Sequence, residues 1–238
     1  MKQNRRVLVA GIVLAQAENL AQSIIENFAG SREWDVDQKW VSIGEGNDRL
    51  QDSVIAEVLS KAEPKFTILN RILAGAPLPA YDYAIVVDDD IELPHNFIDR
   101  YLALADRYDL ALAQPARTHD SYIDHPFVEQ LDGIVARQTR FVEIGPLFSI
   151  RADAFPLLLP FDLTSPMGWG YDLAWPVTMA AAGLKSGIID ALPVSHNLRK
   201  PVSSYDREDV VRQMSSYRAN HEHLKPEEAF FIIESFSQ

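Results

Sequence analysis

Three consecutive aspartates, Asp88, Asp89 and Asp90, close an apolar run that begins at Tyr83, and Glu92 follows them. Carboxylates this crowded repel one another, and a divalent cation would relieve the repulsion. Hard cations such as Mg²⁺ and Mn²⁺ prefer oxygen ligands, and Mg²⁺ commonly bridges one or two carboxylates to substrate phosphates. The apolar run reads as a strand covered on both faces, as in parallel sheets. Open α/β sheets bind ligands beyond the carboxyl ends of their strands. The chemistry expected at this tip is therefore metal-assisted handling of a phosphate or nucleotide. Aspartates at strand ends also make turns, but three of them with Glu92 exceed what a turn needs. A calcium-binding loop does not fit, because Leu93 stands where that loop needs glycine and Asp99 where it needs glutamate.

A second constellation is Pro166-Met167-Gly168-Trp169-Gly170-Tyr171-Asp172. Two glycines around a tryptophan allow a tight loop presenting a flat indole face, which stacks well on sugars and bases. Asp172 then opens a helix, where an acid is also favoured simply as a cap or by the helix dipole. A third element is His196, after the last short strand; imidazole suits Mn²⁺-like ions if the fold brings it to the aspartates. His119-Asp120 with Asp124-His125 has spacing that would suit a two-metal hydrolase, but no strand–helix frame holds it. There is no phosphate-cradling glycine loop, no dinucleotide fingerprint after the first strand and no G-x-S-x-G elbow; Gly44-Glu45-Gly46 alone is a weak signal.

The 238 residues suit one large domain or two small ones, and a 47% hydrophobic content is enough for a full core. The formal net charge of −12 argues against general nucleic-acid binding and against charge-driven docking on anionic membranes. An anionic substrate would need a metal or a few placed Lys and Arg side chains. With no cysteine, disulfides, zinc thiolates, iron–sulfur clusters and thiol nucleophiles are excluded, and a reducing, cytoplasmic setting is expected. Lys2, Arg5 and Arg6 before Val7–Ala15 imitate a signal peptide. The short Val- and Ile-rich run and the amphipathic pattern behind it favour a first strand. No stretch approaches the roughly 20 apolar residues of a membrane span.

The elements that must position these residues alternate. Strands are expected at Val7–Leu14, Trp34–Ile43, the run ending at Asp88, Leu110–Gln114, Phe141–Ile150 and Gly187–Asp190. Helices are expected at Glu18–Ala29, Ser53–Lys61, Lys65–Leu73, after Pro94, at Arg151–Leu159 and at Asp172–Ala182, with Gly183 as its stop and Pro176 in its first turn. His119–Asp132 reads as an excursion from the sheet. Alternation of this kind predicts an α/β fold with a mostly parallel central sheet and helices on both faces. Ser204–Phe236 reads as polar helix, able to pack on the domain or to mediate homo-oligomerisation. The expected organisation is a domain over residues 1–202 with a helical C-terminal extension over 203–238.

In order and spacing, residues 7–200 resemble nucleotide-sugar glycosyltransferases of the GT-A (Rossmann-like) fold. The resemblance rests on Asp88-Asp89-Asp90 as the Asp-x-Asp (DxD) motif, Gly168-Trp169-Gly170-Tyr171-Asp172 as the acceptor-side motif, and His196 as the late metal-binding histidine. The middle is also similar to a plant and bacterial family of unassigned activity, through Ala113-Gln114-Pro115-Ala116, His125-Pro126 and Val142-Glu143-Ile144-Gly145-Pro146. The likeness implies a metal-dependent hexosyltransferase-like enzyme, with a nucleoside-diphosphate sugar as donor and a glycan or other hydroxyl compound as acceptor. It implies Mn²⁺ or Mg²⁺ held by Asp88, Asp90 and His196, with Asp90 the strongest ligand. Asp172 would be the general base. Gly168, Trp169 and Gly170 would form the acceptor platform, and Lys65, Asn70, Asp88 and Asp89 the nucleotide side. The triple aspartate leaves open which two of the three bind metal. Two other readings stand beside it: a nucleotidyltransferase, and a non-catalytic nucleotide- or glycan-binding protein with the same fold.

Overall fold

The computed structural model describes residues 5–44, 50, 53–200 and 206–237; the Glu45-Gly46-Asn47 part of the glycine-containing segment lies outside them. The elements, in chain order, are β1 (Arg6–Leu14), α1 (Ala21–Ala29), β2 (Asp35–Ile43), β3 (Ile55–Leu59), α2 (Lys65–Ala74), β4 (Tyr83–Asp88), α3 (Phe97–Arg107), β5 (Leu110–Arg117), β6 (Ile134–Thr139), β7 (Leu147–Arg151), α4 (Phe155–Leu158), α5 (Tyr171–Ala181), β8 (Lys185–Val194), α6 (Arg207–Asn220), α7 (Pro226–Ala229) and β9 (Ile232–Ser237).

The strands form one nine-stranded sheet in the order β3-β2-β1-β4-β7-β5-β8-β6-β9. Strands β3, β2, β1 and β4 are parallel, as is the β5–β8 pair. The β4–β7, β5–β7, β6–β8 and β6–β9 pairs are antiparallel. The sheet is therefore mixed, which corrects the expectation of a mostly parallel one. Two strands are reversed: β7, which inserts between β4 and β5 and runs against both, and β6, which runs against β8 and β9.

Side-chain alternation places a core on each face of the sheet. In β1, Val7, Val9 and Val13 face α1 and α3, whereas Leu8 and Ala10 face α2 and α5. In β4, Tyr83, Ile85 and Val87 belong to the first layer, and Ala84 and Val86 to the second. Continued by one more step, this parity puts Asp88 on the α2 face, where Lys65 begins the helix. Gly11 is required by packing, because a Cβ there would lie 2.3 Å from the Trp40 ring.

Ser53–Lys61 is not helical. Its centre is the edge strand β3, parallel to β2, and its alternation of half-buried Ile55, Glu57 and Leu59 with exposed Ala56 and Val58 has the period of a strand. The expected strand Phe141–Ile150 begins only at Leu147. Residues 134–139 form β6, a strand that the excursion reading of the preceding segment leaves out. The C-terminal region is not wholly helical: after α6 and α7 it returns as β9 at the sheet edge. Val210 and Tyr217 of α6 are buried, and Tyr217 packs in the second core layer. Pro176 sits in the second turn of α5 rather than the first, so the Asp172 carbonyl lacks its usual helical donor.

Candidate functional site

At the end of β4 each aspartate has a different environment. The two carboxylate oxygens of Asp88 lie 2.7 and 2.8 Å from Lys65 Nζ. Asp89 turns the other way and is 2% exposed. It accepts from the Leu14 amide (2.7 Å) and from the Arg199 guanidinium, which ties the ends of β1 and β4 together. Burial pushes the Asp89 carboxyl up in pKa, against the pull of Arg199 and the Leu14 amide. Asp90 Oδ1 lies 3.3 Å from His196 Nε2, and Asp90 Oδ2 lies 3.0 Å from Arg199 Nη2. Burial would raise the Asp90 carboxyl, but His196 and Arg199 together hold it below the ordinary carboxylate range. His196 is placed by the end of β8, where its amide donates to Ser121 Oγ at 3.0 Å and the Glu92–Ser195 bridge closes the tip.

These contacts test the expected metal set. Asp90 and His196 converge; Asp88 is engaged by Lys65. Among the described residues, no group of three or more His, Asp or Glu side chains gathers around one point. One carboxylate and one imidazole fit an ion that takes its remaining ligands from diphosphate and water, the regime usual for Mg²⁺. They do not make a cage that would hold an ion alone.

The loop before β7 connects this tip to the acceptor-side motif. Arg117, at the end of β5, is 1% exposed. Its Nη2 donates to Glu143 Oε2 (2.9 Å) and to the Gly145 carbonyl. Burial pulls the Arg117 guanidinium down in pKa, opposed by Glu143, Asp88 and Asp90. Glu143 Oε1 lies 2.9 Å from His125 Nδ1, and the Glu143 amide donates to the Gln114 side chain. Gly145 precedes Pro146 through a cis bond. A Cβ at Gly145 would sit 3.2 Å from Lys65 Nζ and 3.3 Å from Asp88 Oδ2, so any other residue would crowd the Lys65–Asp88 pair.

Asp172 is half-buried in the first turn of α5. Burial is the main cause that pushes its carboxyl up to about 6; Glu143 adds to the rise, while His125 and the Leu173 amide oppose it. An acid with that value is ionised at neutral pH and still basic enough to take a proton. The glycines before it serve the loop. Gly168 and Gly170 have φ of +83° and +95°, and a Cβ at Gly168 would lie 2.1 Å from the Phe66 ring. The Ser165 hydroxyl fixes the Trp169 carbonyl at 2.9 Å. Gly168→Ala should therefore lose about 2–4 kcal/mol, from overpacking and a left-handed backbone. A urea midpoint equal to that of the parent protein would contradict this packing.

The other expected residues separate. The Asn70 side chain donates to the Phe161 carbonyl and accepts from the Phe161 amide, both at 2.9 Å, so its hydrogen bonds hold a loop. His119 pairs outward with Glu129 at 2.6 Å and Asp120 with Asn197 at 2.8 Å, while His125 turns inward. Sequence reasoning gave no role to Arg117, Glu143 or Arg199. The available signal was an acid beside Gly145-Pro146 and an arginine shortly after the histidine at a strand end.

No protein-family model matches this chain, and no curated protein matches it in sequence. Among solved structures, the chain is similar to GalNAc-T7, crystallised with UDP, GalNAc and Mn²⁺: the TM-score is 0.58 and the identity 12%, over 89% of this chain and 47% of that one. The chain thus spans about half the length of that neighbour. At this identity the likeness is one of fold: the mixed sheet with its helices resembles the fold of that structure.

Proposed function

We propose that this chain is a glycosyltransferase that moves a sugar from a nucleoside-diphosphate sugar to a hydroxyl of a carbohydrate or similar acceptor. The observation that carries the reading is the run of contacts from the acid tip to Glu143, whose charge acts on Asp172. Lys65–Asp88 abuts Gly145, Gly145 accepts from Arg117, Arg117 holds Glu143, and Glu143 lies within electrostatic range of Asp172. The GT-A-like fold supports it, and the neighbour binds UDP and GalNAc with Mn²⁺.

In this reading the acceptor hydroxyl gives its proton to the Asp172 carboxylate. Its oxygen bonds to the anomeric carbon, and the bond from that carbon to the diphosphate breaks, the electron pair leaving with the diphosphate. Asp90 and His196 would hold a divalent ion, which would supply positive charge to that leaving group. Lys65 and Asp88 face the nucleotide side, and Asp89 anchors the tip behind them. Trp169, with Gly168 and Gly170, forms the acceptor platform. Asn70 supports the loop at Phe161.

A second reading, binding without turnover, is favoured by one observation: all three aspartates already have cationic or imidazole partners within the chain. A thermal-shift screen of nucleoside-diphosphate sugars with and without Mn²⁺ addresses both. The cognate donor at a hundredfold excess over its Kd should raise the midpoint by about 5–10 °C. Asp90→Ala should remove the Mn²⁺-dependent part. An unchanged metal dependence in Asp90→Ala would remove Asp90 from the metal site, and release of free sugar or transferred product excludes the binding-only reading.

A further inference from the structure

The acid tip of β4 already carries cations of its own. Lys65 takes Asp88, through both carboxylate oxygens. Arg199, beyond the end of β8, takes the other two aspartates. Its Nη2 bonds to Asp89 Oδ1 and lies 3.0 Å from Asp90 Oδ2, and its Nε lies 3.3 Å from the same Asp90 oxygen. Its Nη1 donates to the Glu18 carbonyl at 2.8 Å and lies 3.4 Å from Asp89 Oδ2. All three guanidinium nitrogens are engaged, and the side chain bridges the two carboxylates.

The bridge is built in. The Arg199 side chain is 15% exposed, and the Asp89 carboxylate, held from its other side by the Leu14 amide at 2.7 Å, has no free oxygen. A planar fork can engage two carboxylates at once in a way that a point charge cannot. Of all the carboxylate oxygens at the tip, Asp90 Oδ1 is the one that no Lys, Arg or backbone donor engages among the described residues. It lies beside His196 Nε2 at 3.3 Å. A divalent ion arriving alone would therefore meet one oxygen, one imidazole and two fixed positive charges. A diphosphate changes that balance, because it brings negative charge and further oxygen ligands.

We propose that Arg199 is the resident counter-cation of Asp89 and Asp90, and that it makes the tip take up a divalent ion only together with a diphosphate group. The inference rests on the transferase reading, in which that diphosphate is the leaving group of the donor. It makes loading a joint event: whatever factor the diphosphate adds to ion affinity, the ion adds to diphosphate affinity.

The test follows Mn²⁺ by electron paramagnetic resonance at pH 7.5, first without nucleotide. In the parent protein, Asp90→Ala should leave the affinity for Mn²⁺ alone unchanged, since the tip does not hold the ion by itself. Arg199→Gln should bind Mn²⁺ alone on the order of tenfold more tightly, because even at the dielectric constant of water a unit positive charge about 5 Å from a divalent ion opposes it by such a factor. Adding Asp90→Ala to Arg199→Gln should abolish the gain. Arg199→Lys, which keeps the charge, should behave as the parent. With UDP or GDP added, which share the diphosphate and differ in base, the parent should take up Mn²⁺ at the tip with at least one of them, and Asp90→Ala should prevent it.

A folded Arg199→Gln protein that binds Mn²⁺ alone no better than its parent overturns the proposal and leaves Arg199 as a tie between chain segments. If Arg199→Gln does not fold, a parent protein that holds Mn²⁺ alone and loses it in Asp90→Ala overturns it equally. None of these measurements uses turnover. A failed transferase reading shows as no transferred sugar with the Arg199 effect intact, and a failed Arg199 role as sugar transfer by a protein whose Mn²⁺ affinity is indifferent to Arg199→Gln.

Discussion

Asp172→Asn should suppress sugar transfer by about 10²–10⁴-fold, the usual range for a lost general base, while nucleotide binding persists. The same substitution should stabilise the protein near neutral pH. The folded-state value of about 6 lies above the ordinary carboxylate value of 3.8, so the folded protein binds the proton more tightly than the unfolded chain. The stability that Asp172 contributes is then fully present below about pH 4, falls as pH rises through the window from 3.8 to 6, and is lost above it. Asparagine does not ionise and avoids that loss. A gain on the order of 1–3 kcal/mol is expected at pH 7.5, vanishing near pH 4. Urea denaturation at the two pH values, with calorimetry of nucleotide binding, measures both parts. Transfer at the parental rate would remove Asp172 from the base role. A stability difference that does not depend on pH would mean that its carboxyl is not held high.

The second large effect lies outside the reacting groups. Arg137 and Asp190 form a fully buried pair, with Nε–Oδ2 and Nη2–Oδ1 both 2.9 Å. The same guanidinium donates to the Phe127 carbonyl (3.0 Å) and the Glu129 carbonyl (2.9 Å). It thereby pins the segment immediately after His125 to β6 and β8. Arg137→Met should cost about 3–5 kcal/mol, because it leaves the Asp190 carboxylate buried and unpaired. That is a large share of the 5–15 kcal/mol typical of a domain. Arg137→Met with Asp190→Leu should recover more than half of the loss, since no charge remains buried. Urea titration of the three proteins checks this. A single variant as stable as its parent would contradict the pairing. The single variant should also loosen His125, so its ring titration should move toward that of a free histidine.

The three-aspartate strand was legible because two local signals coincide there. The run Tyr83–Val87 is apolar at every position and ends abruptly in charge, which only a strand buried on both faces explains. Helix α2 was legible to within one residue for a similar reason, its buried Phe66, Ile68, Leu69, Ile72 and Leu73 forming a helical stripe. The segment now seen as β3 was misread because five residues of alternating burial at a sheet edge give too short a pattern. Strand β9 is not legible as a strand because its apolar residues, Ile232, Ile233 and Phe236, do not alternate but have the i, i+1, i+4 spacing of a helical stripe.

Sequence alone thus determined an α/β protein with an acid-tipped strand, a glycine-framed Trp169 and an acid opening α5, because each is written in neighbouring residues. Only the tertiary structure decided which charges meet. Arg199 reaches the Asp89 and Asp90 carboxylates across 110 and 109 residues, Glu143 meets Arg117 across 26, and His125 meets Glu143 across 18. It also decided that β7 runs against β4 and β5, which carries residues 143–146 past the end of β4. Local periodicity reports the environment of a segment, whereas the partner of a charge depends on how the sheet is threaded.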